Sequence, residues 1–293
     1  MRIGIVTPVL TRVAKSHAKW EIDAGIEDVA RIARAADELG YDYLTCSEHV
    51  GIPTDVAPVR GATYWDPAAT LGYLAAVTGH VRLATNVIVL GYHHPLEVVK
   101  TYGTLDRISG GRVILGVGVG SLQPEFELLE VPFDDRGPRA DDAMRAIRAS
   151  LAKPEPSYDG PYYRFGGMII DPCAVQAHMP IWVGGRTRRS LRRAVELGDG
   201  WMPFGLGVGE LGTMVKSVGI PAGFDLALSP DRALDPGGGT ERVLDTIGQM
   251  ESIGTTVINA RIVGHSLDHY VEQLEALASV AGLVGGSPTG GSR

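Results

Sequence analysis

Short apolar runs of strand type alternate with amphipathic helical stretches from one end of the chain to the other, and this alternation restricts the fold more than any other feature. Such a pattern builds a parallel sheet from βα units rather than separate layers of strands and helices. Eight units are readable. Their strands are expected at Ile3 to Thr7, Tyr43 to Ser47, Arg82 to Val89, Val113 to Val117, Ile181 to Gly184, Gly200 to Phe204, Phe224 to Leu228 and Thr256 to Arg261. Between them fall helices such as the one that places Ile22, Ile26, Val29, Ile32, Ala33, Ala36 and Leu39 in register before Gly40, and another with Leu267, Tyr270, Val271, Leu274 and Leu277. Right-handed crossovers leave few arrangements for eight such units other than a closed α/β barrel, the (β/α)8 or TIM barrel. The 293 residues suit one barrel, so residues 1–284 are expected to form a single domain. Residues 285–293, Gly-Gly-Ser-Pro-Thr-Gly-Gly-Ser-Arg, have no apolar side chain to bury and are expected to be a flexible tail.

The stretch from Pro95 to Gly120 reads as helix, turn, buried strand and glycine-rich mouth. Pro95 suits a first helical turn, and Ser109-Gly110-Gly111 suits a helix end, because glycine takes the left-handed conformation there without strain. The strand that follows is apolar on both faces, as strands covered by helices are. The interval from Ser121 to Met179 is too long for a simple connection. It holds a helical pattern from Arg139 to Leu151 and a hairpin turn at Tyr158-Asp159-Gly160-Pro161-Tyr162-Tyr163, so an insertion is expected between strands 4 and 5, where long ordered segments tend to be functional walls or lids.

A formal net charge of -7 argues against a broad nucleic-acid surface, which needs a basic face. No apolar run approaches the ~20 residues of a bilayer span, so no membrane partner is expected. Met1 to Val6 runs directly into a strand without the apolar segment and cleavage site of a signal peptide, and a cytoplasmic protein is expected. Cys46 and Cys173, the two cysteines, suit a reducing compartment and read as packed thiols.

Chemistry-bearing residues fall at the C-terminal ends of the expected strands, where barrels of this kind keep their sites. Glu48-His49 follows the second strand. An imidazole that titrates near neutrality can give a proton or a hydrogen bond to a substrate, with Glu48 orienting or charge-balancing it; an exposed loop pair is the plainer alternative. Thr85-Asn86-Val87 interrupts an apolar strand with two polar residues. Gly116 to Gly120 lacks the full GxGxxG spacing and reads as a floor free of side chains. Val183-Gly184-Gly185-Arg186 ends the fifth strand and opens a helix from Arg188 to Leu197, whose N-terminal amides suit a phosphate. Arg186, Arg188, Arg189, Arg192 and Arg193 crowd the same turns, either around an anion or on a solvated face. His93-His94 lacks further converging ligands and Ser121 lacks a GxSxG elbow, so neither a metal nor a serine nucleophile is expected, and a metal-dependent barrel hydrolase or isomerase remains a rival of a different class.

Taken in order, Ser47-Glu48-His49, Leu83-Ala84-Thr85-Asn86-Val87, the 95–120 stretch, Pro132-Phe133-Asp134-Asp135-Arg136-Gly137, Pro180-Ile181-Trp182-Val183-Gly184-Gly185 and Gly198-Asp199-Gly200-Trp201 resemble the luciferase-like monooxygenase superfamily. The nearest resemblance is to its actinobacterial branch dependent on the deazaflavin coenzyme F420. It spans most of the chain and thins beyond about Gly205. The resemblance implies a luciferase-like TIM barrel, a homodimer, and an oxidoreductase transferring hydride between coenzyme F420 and a small-molecule organic substrate. An FMN-dependent monooxygenase and a non-catalytic flavin-binding protein are the alternatives within the same fold. It also implies catalytic roles for His49 and Glu48 and cofactor contacts at Thr85, Asn86, Val87, Gly118, Gly120, Gly184, Gly185 and Arg186. A non-prolyl cis peptide with a bulge is expected at Asn86-Val87, under the ring. Some deazaflavin-dependent relatives carry a proton-donating glutamate after the second glycine turn, and Ser121 stands there in this chain.

Overall fold

In the computed structural model, which describes residues 1–14 and 17–283, eight parallel strands close into a barrel. They are β1 (Arg2–Ile5), β2 (Tyr43–Cys46), β3 (Arg82–Thr85), β4 (Val113–Gly118), β5 (Ile181–Gly184), β6 (Gly200–Met202), β7 (Asp225–Leu228) and β8 (Val257–Ala260). Neighbours in sequence pair side by side. The cylinder shuts where β4 pairs with β5 (Val183 opposite Val117) and β8 with β1 (Ile3 opposite Ile258). Each strand is followed by a helix: α1 (Ile26–Glu38), α2 (Pro67–Val77), α3 (Pro95–Ser109), α4 (Arg136–Ser150), α5 (Arg188–Leu197), α6 (Val208–Lys216), α7 (Thr240–Ser252) and α8 (Leu267–Ala281). Every expected strand is present, although β6 and β7 are shorter than their apolar runs. The expected tail at 285–293 lies outside the described residues. No helix among the described residues is long and apolar enough to cross a membrane.

Two hydrophobic layers hold the fold. The barrel interior is filled by Tyr43, Ala84, Ile114, Trp182, Met202, Ala227 and Val257, one side chain from each of seven strands and all buried. The eighth strand contributes Gly4. A Cβ there would run into the Tyr43 ring, so the bare backbone of β1 is what lets Tyr43 cross the axis and meet Trp182 edge-on, with ring centroids 5.3 Å apart. The second, larger layer lies between strands and helices. Ile3, Leu44, Leu83, Leu115 and Val183 face it from the strands, and Val29, Ile32, Leu71, Val98, Ile147 and Leu191 face it from the helices. Both cysteines are buried, and burial pushes the Cys46 thiol up to about 12.

The helix signals in the sequence act as capping physics predicts. Pro95 opens α3, the His94 ring accepts from the Leu96 amide at 3.2 Å, and Glu97 reaches back to the His94 amide at 3.1 Å. Gly110 ends the helix at φ 69°. The 121–179 interval turns out to contain a barrel element. The helix read at Arg139 to Leu151 is α4, which begins three residues earlier and packs between α3 and α5. The additions lie on either side of it: a short helix, Gln123–Leu128, before, and a hairpin, Tyr158–Asp159 with Arg164–Phe165, after.

Two carboxylates tie these segments to the frame. Asp106 of α3, fully buried, accepts from the Val113 amide (3.4 Å) and the Gln176 side chain (2.7 Å) with one oxygen, and from the Val175 and Gln176 amides (2.9 and 3.0 Å) with the other. Asp199 accepts from the Ile181 amide at 2.8 Å and pairs with Arg148 of α4 and with His178. Burial raises its carboxyl, but the Ile181 amide, His178 and Arg148 outweigh that and hold it below the usual aspartate value.

Candidate active site

The apolar run read as one strand from Arg82 to Val89 is broken. The peptide between Asn86 and Val87 is cis, at the position the resemblance implies, and the chain resumes only at Ile88–Val89, which pairs with β4 through Ile88 and Val117. The resulting bulge projects at the C-terminal end of the barrel. Ser47 clamps it by donating to the Asn86 carbonyl at 2.8 Å, and the Asn86 amide donates to the Cys46 carbonyl at 2.8 Å. Thr85, fully buried, donates to the Gly116 carbonyl at 2.7 Å.

The glycines around the bulge have neighbours of their own. A Cβ on Gly116 would overlap the Thr85 carbonyl oxygen, one on Gly118 would lie 2.7 Å from a Val87 methyl, and one on Gly184 would lie 2.9 Å from the other. At Gly120 the crowding atoms belong to Phe126 and Val89. The absence of side chains at Gly116, Gly118 and Gly184 thus lets the bulge pack against β4 and β5, and at Gly120 it makes room for Phe126.

Glu48 and His49, adjacent in sequence, serve different partners. The Glu48 carboxylate accepts from the Val89 amide at 2.6 Å and pairs with Nε2 of His93 at 2.7 Å. It does not orient His49, which corrects the role expected for it. Successive residues leaving a strand point to opposite sides, and the His49 ring lies against Tyr64, with centroids 4.5 Å apart. Its Nδ1 is 2.8 Å from Oε2 of Glu125.

Glu125 is the residue that sequence reasoning missed. It comes from the short helix after β4, and its side chain has no solvent exposure. Its four contacts fill both oxygens. Oε1 accepts from the amides of Val50 (2.5 Å) and Gly51 (3.3 Å), and Oε2 meets His49 and the Tyr92 hydroxyl (2.6 Å). Burial pushes this carboxyl up, but His49, Tyr92 and the Val50 amide outweigh burial and hold it below the ordinary glutamate value. Ser121 meets the guanidinium of Arg60 at 3.3 Å. The buried carboxylate of this segment thus lies four residues beyond Ser121, the place where the resemblance looks for a proton-donating glutamate.

His93 and His94 part ways, one to Glu48 and one to the cap of α3. Burial lowers the His93 imidazole, but the hydrogen bond and charge of Glu48 outweigh it and the pKa is raised. A proton held more tightly in the folded state stabilises the fold fully below the unfolded value of about 6.5, and that stabilisation is lost as pH rises through the raised folded value. The Tm advantage of the unaltered protein over His93→Gln should accordingly be larger at pH 5.5 than at pH 8.5. Equal differences at both values would refute this assignment.

Beyond Val87, Gly184 ends β5 and Gly185, at φ 105°, turns the chain into α5. Thr187 caps that helix by accepting from the Ser190 amide at 3.2 Å, while Ser190 Oγ accepts from the Thr187 amide at 3.2 Å. The arginine cluster is divided. Arg186 lies near the Phe204 ring, 5.9 Å from its centroid. Arg189, Arg192 and Arg193 instead line, with Asp141 and Glu196, a cavity of about 430 Å³ on the outer face, where Arg193 is paired with Asp141 of α4. The structure therefore brings Glu48, His49, Thr85, Asn86, Val87, Gly118, Gly120 and Gly184 into one connected neighbourhood, with Gly185 and Arg186 leading away from it.

Comparison with known proteins agrees with this geometry. The profile of the luciferase-like monooxygenase family matches residues 1–218. An uncharacterised protein of Mycobacterium tuberculosis is 30% identical over 272 residues, covering 88% of this chain and 94% of the relative. Three solved structures share the fold. The monooxygenase RslO1 from Streptomyces bottropensis superposes with a TM-score of 0.73 at 21% identity, covering 95% of this chain and 98% of the other. An F420-dependent secondary alcohol dehydrogenase, bound to an F420-acetone adduct, gives 0.69 at 15% (94% and 98%). The oxygenating constituent of 3,6-diketocamphane monooxygenase from Pseudomonas putida, in complex with FMN, gives 0.69 at 14% (95% and 97%). At these identities the structural likeness is one of fold, and it joins deazaflavin- and flavin-dependent proteins alike.

Proposed function

The chain belongs to the luciferase-like monooxygenase family, and from that premise we propose that it is an oxidoreductase transferring hydride between coenzyme F420 and a small organic substrate. The observation that carries this reading is the mouth itself, where Ser47 and Glu48 hold the 86–89 segment and the next residue, His49, is held by a buried carboxylate. The residues present fit such a cofactor. Thr85, Asn86 and Val87 would support the ring, with the backbone at Gly118 and Gly120 beside it. The turn at Gly184-Gly185 and the start of α5 would receive a phosphate, with Arg186 as its charged partner. When bound, the deazaflavin supplies the hydride acceptor or donor. His49 would hold the proton exchanged with the substrate's polar atom, and Glu48 would keep the segment after the bulge in place through the Val89 amide.

Arg186 and Arg188, at the start of α5, favour the deazaflavin over FMN. Among the described residues only Arg193 of the arginine cluster has a carboxylate partner, which suits a phosphate followed by an anionic tail. An FMN-dependent monooxygenase would use the same mouth without an anionic tail for Arg186 and Arg188 to meet. Absorbance titration with each cofactor separates the readings: saturable binding of coenzyme F420 alone is expected, and binding of FMN alone would reverse the choice. Arg186→Glu should weaken the bound cofactor by more than about 1 kcal/mol, roughly fivefold in Kd, as a lost charge-assisted contact does. Unchanged affinity would place the phosphate elsewhere.

A further inference from the structure

We infer that Glu125 is a positioning residue that fixes which nitrogen of His49 faces the reaction, an inference that rests on the role proposed above for His49. The argument is one of hydrogen-bond inventory. An ionised carboxylate only accepts. Oε1 of Glu125 is occupied by two backbone amides, and Oε2 receives the Tyr92 hydroxyl at 2.6 Å, so His49 Nδ1, at 2.8 Å from the same oxygen, must carry the hydrogen and donate it. The neutral imidazole is then the Nδ1–H form. Its lone pair sits on Nε2, which bonds to no protein group among the described residues and is left to accept a proton from a substrate.

The surroundings make this arrangement hard to reverse. Glu125 is without solvent exposure, so turning it away from its four partners would leave a buried carboxylate without them. The Tyr64 ring packs edge-on against the imidazole at 4.5 Å and restricts its rotation. Glu125 is separated from His49 by 76 residues and reaches it only because the segment after β4 folds back as the 123–128 helix. The mouth is therefore completed by a residue from outside the barrel strands.

The test is Glu125→Gln, which keeps the shape of the side chain and changes the two hydrogen bonds at Oε2, with the Tyr92 hydroxyl turning from donor to acceptor and His49 Nδ1 facing an NH₂ group. Gln Oε1 can still accept from the Val50 amide, so its NH₂ group faces Nδ1 and donates to it, and the imidazole must move its hydrogen to Nε2. Nitrogen-15 NMR of the imidazole in the full chain, with no cofactor added, should show the Nδ1–H form in the unaltered protein and the Nε2–H form in Glu125→Gln. Turnover of oxidised coenzyme F420 with a panel of small primary and secondary alcohols, whose hydroxyl proton Nε2 would take as the hydride leaves, should fall at least a hundredfold in the variant, while F420 affinity stays within about twofold. An Nε2–H form in the unaltered protein, readable even if the variant does not fold, overturns the inference, and so does an unchanged tautomer in the variant. An inverted tautomer with turnover intact overturns both the positioning role and the role of His49. An unchanged tautomer alongside an inactive His49→Ala removes the role of Glu125 alone.

Discussion

Turnover by His49→Ala should fall by about 10²–10⁴-fold, the range associated with losing a positioned proton donor or acceptor, while the affinity for coenzyme F420 stays within a few-fold. The two quantities separate because His49 is held from the short helix after β4, whereas the bulge and the Gly184-Gly185 turn are built by β3 to β5 and have no bond to the imidazole. The assay follows the deazaflavin absorbance with the same alcohol panel. Equal loss of binding and turnover would make His49 part of the cofactor cradle. Turnover kept in the variant would remove the role of His49, and no turnover in the unaltered protein would favour a protein that binds without catalysis.

The second large effect is expected from one methyl group. Gly116→Ala places a Cβ on the Thr85 carbonyl oxygen, a backbone atom locked between β3 and β4 by the hydrogen bond from Thr85 Oγ1. Overpacking against side chains typically costs about 1–3 kcal/mol because the side chains adjust, and backbone that cannot adjust puts this site at the top of that range or above. The expected loss is about 3 kcal/mol or more, seen as a fall in Tm of roughly 6–12 °C. Gly72→Ala supplies the comparison. It lies inside α2 with nothing within 4 Å of the added atom, and the same substitution there should stabilise the protein by about 0.5–1 kcal/mol through helix propensity. If the two variants melt together, the close approach at Gly116 is not a constraint on the fold.

These expectations mark where the sequence could be read and where it could not. The strands were legible because burial on both faces requires uninterrupted apolar runs, and the helices because their caps are local: Pro95, Gly110 and Gly40 each act within a turn of their own position. The polar pair Thr85-Asn86 marks an interruption in the run from Leu83 to Val89, but the cis peptide and bulge that break the strand there came only through family resemblance. Contacts between distant residues left no local trace. Nothing in the sequence couples His49 to Glu125, and the proximity of Glu48 suggested the wrong partner because neighbours along the chain are not neighbours across it. The glycines from Gly116 to Gly120 read as a bare floor, and the sequence does not show that Thr85, Val87 and Phe126 also need the missing side chains.

Asp106 gives the segment between β4 and β5 an unusual freedom. It fastens that segment where it re-enters the frame, at Val175 and Gln176, and fastens the start of β4 at Val113 with the same carboxylate. The stretch from Ser121 to Val131, which supplies Glu125, and the hairpin at 158–165 are thus spliced between two welded ends. Such a segment behaves as an interchangeable cassette: its length and side chains can be redrawn to accommodate a different guest without loosening the cylinder beneath.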